Sequence, residues 1–255
     1  MDKKQNAEVR KQEDAALNRA LIWVAGAVVL EALLLFVNRY LINYRLSEVD
    51  MAIMMWNVLK VVRIAGAVAC AAALVWAVLR FRKGQKAELV TAGALACGAL
   101  AVCAHVAMAF EKAGVQMLFL MVPAWAGLAL IYYLYQREFF LGAVASGLAI
   151  LGLWFVRFGG GVGMEAVLVL CAVALVLAAV LYLKKTGGLV PRGDGEMLRF
   201  LSKKTVYTIP MASCVVGMAA VALAMVLGSA VAYYLLFAMV VWLFALLVYY
   251  TVKLM

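Results

Sequence analysis

The sequence predicts an all-α fold, a polytopic membrane helix bundle of about eight transmembrane helices, and three observations carry that prediction. Apolar residues make up 69% of the 255 residues and charged residues only 14%, against roughly 45–50% and about 25% in soluble domains. Eight apolar runs are each long enough to cross a hydrocarbon layer about 30 Å thick, which takes about 20 residues of helix. The basic residues fall between those runs with a consistent alternation of side, as the charge rule for membrane helices requires.

The runs cover about 20–40, 58–80, 89–110, 114–135, 138–158, 164–183, 206–227 and 230–252. Glu111-Lys112-Ala113 and Gly228-Ser229 are among the shortest connections, so the helices that they join form antiparallel hairpins. The first outer connection is long, 38–57, and the sixth run leads into a polar loop from Lys184 to Lys204. With the N-terminus inside, 17 of the 23 Lys and Arg residues lie on the inner side. The outer side keeps Arg39, Arg45, Lys60, Arg63, Lys112 and Arg157. Both termini are therefore expected in the cytoplasm, with the chain in the plasma (inner) membrane. No cleavable signal peptide precedes the first span: the first nineteen residues are polar, mixed in charge and of helical composition. They would extend the first helix, lie on the inner surface, or dock a partner.

Sliding the chain against itself exposes an internal correspondence. At an offset of 117, Thr91 meets Thr208, Cys97 meets Cys214, Trp125 meets Trp242, and Tyr132-Tyr133 meets Tyr249-Tyr250. At an offset of 101, Cys70-Ala71 meets Cys171-Ala172. This pattern suggests a tandem 4+4 duplication: a cytoplasmic segment at 1–19, a four-helix unit at 20–136 and a second at 137–255. An even number of crossings per unit keeps both copies in the same orientation.

Several function classes recede on composition. The net charge of +10 sits in loops that flank membrane spans, where it sets topology and meets anionic lipid rather than nucleic acid. The five Cys all lie inside apolar runs without ligand spacing, so they read as packing residues, and no metal or other cofactor is expected. The turn Gly159-Gly160-Gly161 lacks the Lys-Ser/Thr ending of a phosphate loop. Leu189-Val190-Pro191-Arg192-Gly193 resembles a thrombin-type cleavage site and offers a topology probe.

Ionisable groups at membrane depth are the default functional candidates, because each costs about 2.5–3.5 kcal/mol to insert. Glu31 lies near the middle of the first run, and a carboxylate there is too short to reach water. Arg63 is about one turn inside the outer end of the second run, with Lys60 three residues before it. His105 lies about one turn below the outer end of the third, and Arg157 closes the fifth. Together they would ring a polar cavity in the outer half of the bundle. The bases would attract an anion, and Glu31 would carry a proton or a cation or balance Arg63. Against this, Lys60, Arg63 and Arg157 have stems long enough to snorkel to the headgroups, and His105 has backbone carbonyls within reach. Pro123 interrupts the hydrogen bonding of the fourth helix, Ala94 and Gly98 allow a close helix approach, and the paired tyrosines fit an interfacial belt.

These residues support a small transporter or lipid- or anion-binding permease. The alternative is a non-catalytic subunit or scaffold with a membrane-protein partner or a second copy of itself. A lipid-modifying enzyme fits less well, because neither paired carboxylates nor a nucleophile with its base is visible. Membrane lipids are partners under every reading.

Overall fold

The computed structural model describes residues 3–82, 88–134, 137–191, 197–199 and 206–254. Eight α-helices follow one another: α1 Lys3–Val37, α2 Val49–Arg82, α3 Glu88–Ala109, α4 Glu111–Leu134, α5 Arg137–Phe158, α6 Met164–Lys185, α7 Thr208–Leu227 and α8 Ser229–Leu254. All except α3 contain a window long and apolar enough to cross a membrane, and in α3 the corresponding stretch is the shorter Ala96–Ala109. The protein is a polytopic membrane protein. Within the expected 184–204 loop, β1 (Leu189–Pro191) pairs with β2 (Met197–Arg199) in a short two-stranded ribbon. Arg192 and Gly193 of the cleavage-like motif, and Lys83, Lys86, Lys203 and Lys204 of the inner basic segments, lie outside the described residues.

Two helices run beyond their apolar runs, the first by one of the three expected alternatives and the second against expectation. The polar N-terminal stretch continues α1 without a break, making a helix of 35 residues, or about 52 Å. The second helix starts at Val49 rather than near 58, and it runs for 34 residues. The expected long outer connection is thus mostly helix. Its remainder is a compact elbow, a π-turn at Asn38–Ile42 followed by a 3₁₀ turn at Leu46–Glu48. Arg39 holds the elbow together: its guanidinium donates to the Asn43 carbonyl at 2.7 Å and pairs with Glu48 at 3.0 Å. The Arg45 backbone N–H donates to the same Glu48 carboxylate at 3.1 Å. With no Gly or Pro between Leu46 and Lys60, nothing prevents α2 from winding back to the elbow.

The chain divides into two compact units, Val24–Trp125 with Pro191–Glu196, and the remainder. In the first, α2 packs on α3 along a seam of small residues. A side chain at Gly66 would meet the Cys97 carbonyl at 3.1 Å and Ala101 at 3.2 Å, and one at Gly98 would meet the Cys70 Sγ at 3.0 Å. Residue numbers rise along one helix as they fall along the other, so the pair is antiparallel. Ala94 is fully buried and Ala77 nearly so, which extends the seam by two turns. Small residues bring membrane helices close enough for dispersion contact where no hydrophobic force separates helix from lipid. Phe110 alone joins α3 to α4; Glu111 takes a left-handed φ of 43°, and a side chain at Gly114 would run into the Val106 carbonyl.

In the second unit α5 is the hub, packing on α6, α7 and α8, while α7 also packs on α6 and α8. The α5–α7 seam is again small. Gly142 faces Ser213, Gly217 faces Ala149, and Gly152 faces Val221, so these two helices are parallel. Against α8 the order reverses, with Phe139, Ala143, Leu246 and Tyr250 in one buried cluster. Helix direction therefore alternates as the short hairpins require. The Trp242 Nε1–H donates to the Ser213 Oγ at 3.2 Å, and that hydroxyl donates to the Ile209 carbonyl at 3.0 Å. Such bonds are satisfied within the unit and link α7 to α8.

Candidate functional site

The candidate residues fall into both units. Glu31, Lys60, Arg63 and His105 belong to the first, while Arg157 belongs to the second. Arg157 is exposed, and its guanidinium lies 5.6 Å from the ring centroid of Tyr233, a cation–π contact. Trp154, Phe158, Tyr234 and Phe237 gather at the same end of α5 and α8. This arrangement matches a basic side chain in an interfacial aromatic belt.

Glu31 lies near the middle of the apolar window Leu21–Ile42. It sits on the half-buried stripe of α1 that recurs at Val24, Ala27, Glu31 and Leu34, the i, i+3, i+4 pattern of one helix face. Its Oε1 is buried and has no hydrogen-bond partner. An orphaned carboxylate oxygen is costly in any medium of low polarity.

Arg63 and Gly66 share the half-buried face of α2, whereas Lys60 is exposed. The α2–α3 seam sets the register. Gly66 sits against Cys97 and Ala101, so one turn toward the elbow Arg63 comes level with His105 on α3. His105 is half-buried and has a polar or ring interaction of its own. Measured against α3, Arg63 stays about one turn inside the helix end. Measured along α2, it lies 14 residues from Val49, or about 21 Å, because α2 winds so far beyond its expected start. An equal count of residues from the elbow reaches Glu31 on α1 and Leu59 and Lys60 on α2, with Arg63 about 5 Å further along α2. Among the described residues neither Lys60 nor Arg63 makes an ion pair with Glu31; ion pairs form between Arg39 and Glu48 and between Glu138 and Lys253.

A shallow groove runs along the first turns of α2, with Asp50, Asn57 and Val61 among its lining residues. It is a feature of one helix face, and neither Lys60 nor Arg63 lines it. Among the described residues no group of three or more His, Cys, Asp or Glu comes together in a metal-binding arrangement, and the described cysteines are all unpaired thiols. Comparison with protein-family models, curated proteins and solved structures finds no match.

Glu138 is the polar group that the sequence reading passed over. Only 6% exposed, it pairs with the Lys253 ammonium at 3.2 Å. The partners lie 115 residues apart, a separation with no periodic signature. Only the antiparallel docking of α5 on α8 brings the start of one helix to the end of the other. The tyrosine pair of α8 also divides: Tyr249 stays exposed, as an interfacial belt requires, while Tyr250 turns inward and stacks on Phe139 at 5.2 Å.

Proposed function

We propose that the chain is a small permease that binds an anionic or lipid ligand beside Glu31, in the unit formed by α2, α3 and the apolar part of α1. The observation that carries this reading is the buried, unpartnered Oε1 of Glu31 midway along an apolar helix window. A carboxylate in that position takes up a proton, a cation or a donor from a ligand. Lys60 and Arg63 supply a positive field along α2, and His105 lies level with Arg63 on α3. Orientation with both termini inside, the plasma membrane as location, the crossing by α3 and the 4+4 duplication belong to the same proposal.

The test is proton flux in proteoliposomes offered a panel of small carboxylates, phosphate and anionic lipid. An anion-dependent flux that Glu31→Gln abolishes, with the variant still folded, supports the reading; full flux in that variant removes Glu31 from the mechanism. Reporter fusions at both termini check the orientation, which predicts two cytoplasmic signals.

A second reading, a subunit of a larger membrane assembly, has its own observation. None of the α1 window and 6% of the α2 window is buried within the chain. It predicts a stoichiometric protein partner after gentle extraction.

A further inference from the structure

At one end of the α5–α8 interface three polar groups meet in apolar surroundings. Glu138 opens α5 and is 6% exposed. Tyr250, one turn before the end of α8, is fully buried, and its hydroxyl has no hydrogen-bond partner. Lys253 is the most exposed of the three, with 30% of its side chain accessible. Its ammonium lies 3.2 Å from the Glu138 Oε2 and 5.4 Å from the Tyr250 ring centroid. The Tyr250 ring rests on Phe139, the residue after Glu138, so the carboxylate and the phenol share one wall. A carboxylate and an aromatic face are the elements that recognise an ammonium group, by an ion pair and a cation–π contact, and Lys253 leaves the Tyr250 hydroxyl unpartnered.

We propose that Glu138 and Tyr250 form a binding site for a primary ammonium group, which the side chain of Lys253 fills in this structure. Lys253 lies in the last turn of α8 on a long flexible stem, and as the most accessible member it is the element that swings aside. The depth of the site suits a lipid headgroup. Along α8 the exposed Tyr233 and Tyr249 are 16 residues apart, about 24 Å of helix, which approaches the hydrocarbon thickness. Glu138 and Lys253 lie just beyond the second aromatic level, where the amine of an aminophospholipid would sit. A free primary amine shares the same chemistry. The site lies wholly in the second unit and does not depend on the permease reading.

The test uses the full chain with Lys253→Ala, which vacates the site. Thermal unfolding in detergent should fall by about 5 °C or more. Methylammonium should restore much of that loss, whereas tetramethylammonium, which carries the charge without an N–H donor, should not. In nanodiscs, phosphatidylethanolamine should restore the variant over phosphatidylcholine if the source is the headgroup; restoration by methylammonium alone would assign the site to soluble amines. Lys253→Ala combined with Glu138→Gln should respond to neither. An equal response to both ammonium ions, no response to either, or a response that persists in the double variant would overturn the proposal. Should Lys253→Ala fail to fold, native mass spectrometry of the wild type decides: phosphatidylethanolamine retained over phosphatidylcholine, with the preference lost in Glu138→Gln, supports the site, and no preference overturns it.

Discussion

The α5–α8 bundle and the α1–α3 segment both contain long apolar helix windows but satisfy them differently. In α5, 56% of the membrane window is buried within the chain, while in α1 none of it is and in α2 only 6%. The bundle has a hub, a small-residue seam on α7, a polar link between α7 and α8 and an ion pair across its end. The other segment has one tight seam, α2 on α3, and an elbow, and most of the apolar surface of its α1 and α2 windows is exposed. A membrane helix gains nothing hydrophobic by leaving lipid, so close packing arises only where small residues and hydrogen bonds support it. Helices without those features keep their surface for lipid or a partner. The segment with less internal packing also holds the Glu31 carboxylate oxygen that has no hydrogen-bond partner.

The comparison breaks first at the glycines. A side chain at Gly217 would meet the Ala149 Cβ at 2.8 Å, where both backbones are held by the seam. Gly217→Ala should destabilise the protein by about 1–3 kcal/mol, read as a lower unfolding temperature in detergent. Trp242→Phe removes the bond to Ser213 and should cost about 1 kcal/mol, with thermal unfolding again the readout. Gly26 on α1 has open space where a Cβ would stand, so Gly26→Ala should leave the unfolding temperature unchanged or slightly higher. A loss there as large as at Gly217 would show that the α1 surface is packed in the folded protein. The smallest loss is expected at the elbow. Arg39→Ala removes a partly exposed ion pair to Glu48 and should cost about 0.5 kcal/mol, with proteolysis near Asn43 as the sensitive readout.

How much of this was legible in the sequence follows from the range of the interactions. Helix number and the hairpins come from hydropathy and glycine, which are local, so they were readable, although the turn expected at Glu111-Lys112-Ala113 falls on Phe110 and those three residues open α4. The start of α2 was not, because Glu48 and Asp50 lower the local hydropathy while the Arg39–Glu48 contact that winds the elbow spans nine residues. Ala94 and Gly98 announced a close approach by their spacing, but the partner residues, Gly66 and Cys70, come from docking. Of the site, Glu31 stood out because a mid-span carboxylate is rare. The common level of Arg63 and His105 needed the α2–α3 register, and Glu138–Lys253 needed two chain-distant helices to pair. The tandem offset is a sequence pattern only, and the unequal burial of α1 and α5, its matched first helices, is the feature that a duplication has to accommodate.

Native mass spectrometry of the protein, extracted gently from its own membranes, tests the central claim most directly. The account predicts a retained small anion or anionic lipid, lost on Arg63→Ala and weakened on Glu31→Gln. A stoichiometric second polypeptide with no small ligand would contradict it and make the open faces of α1 and α2 subunit contacts.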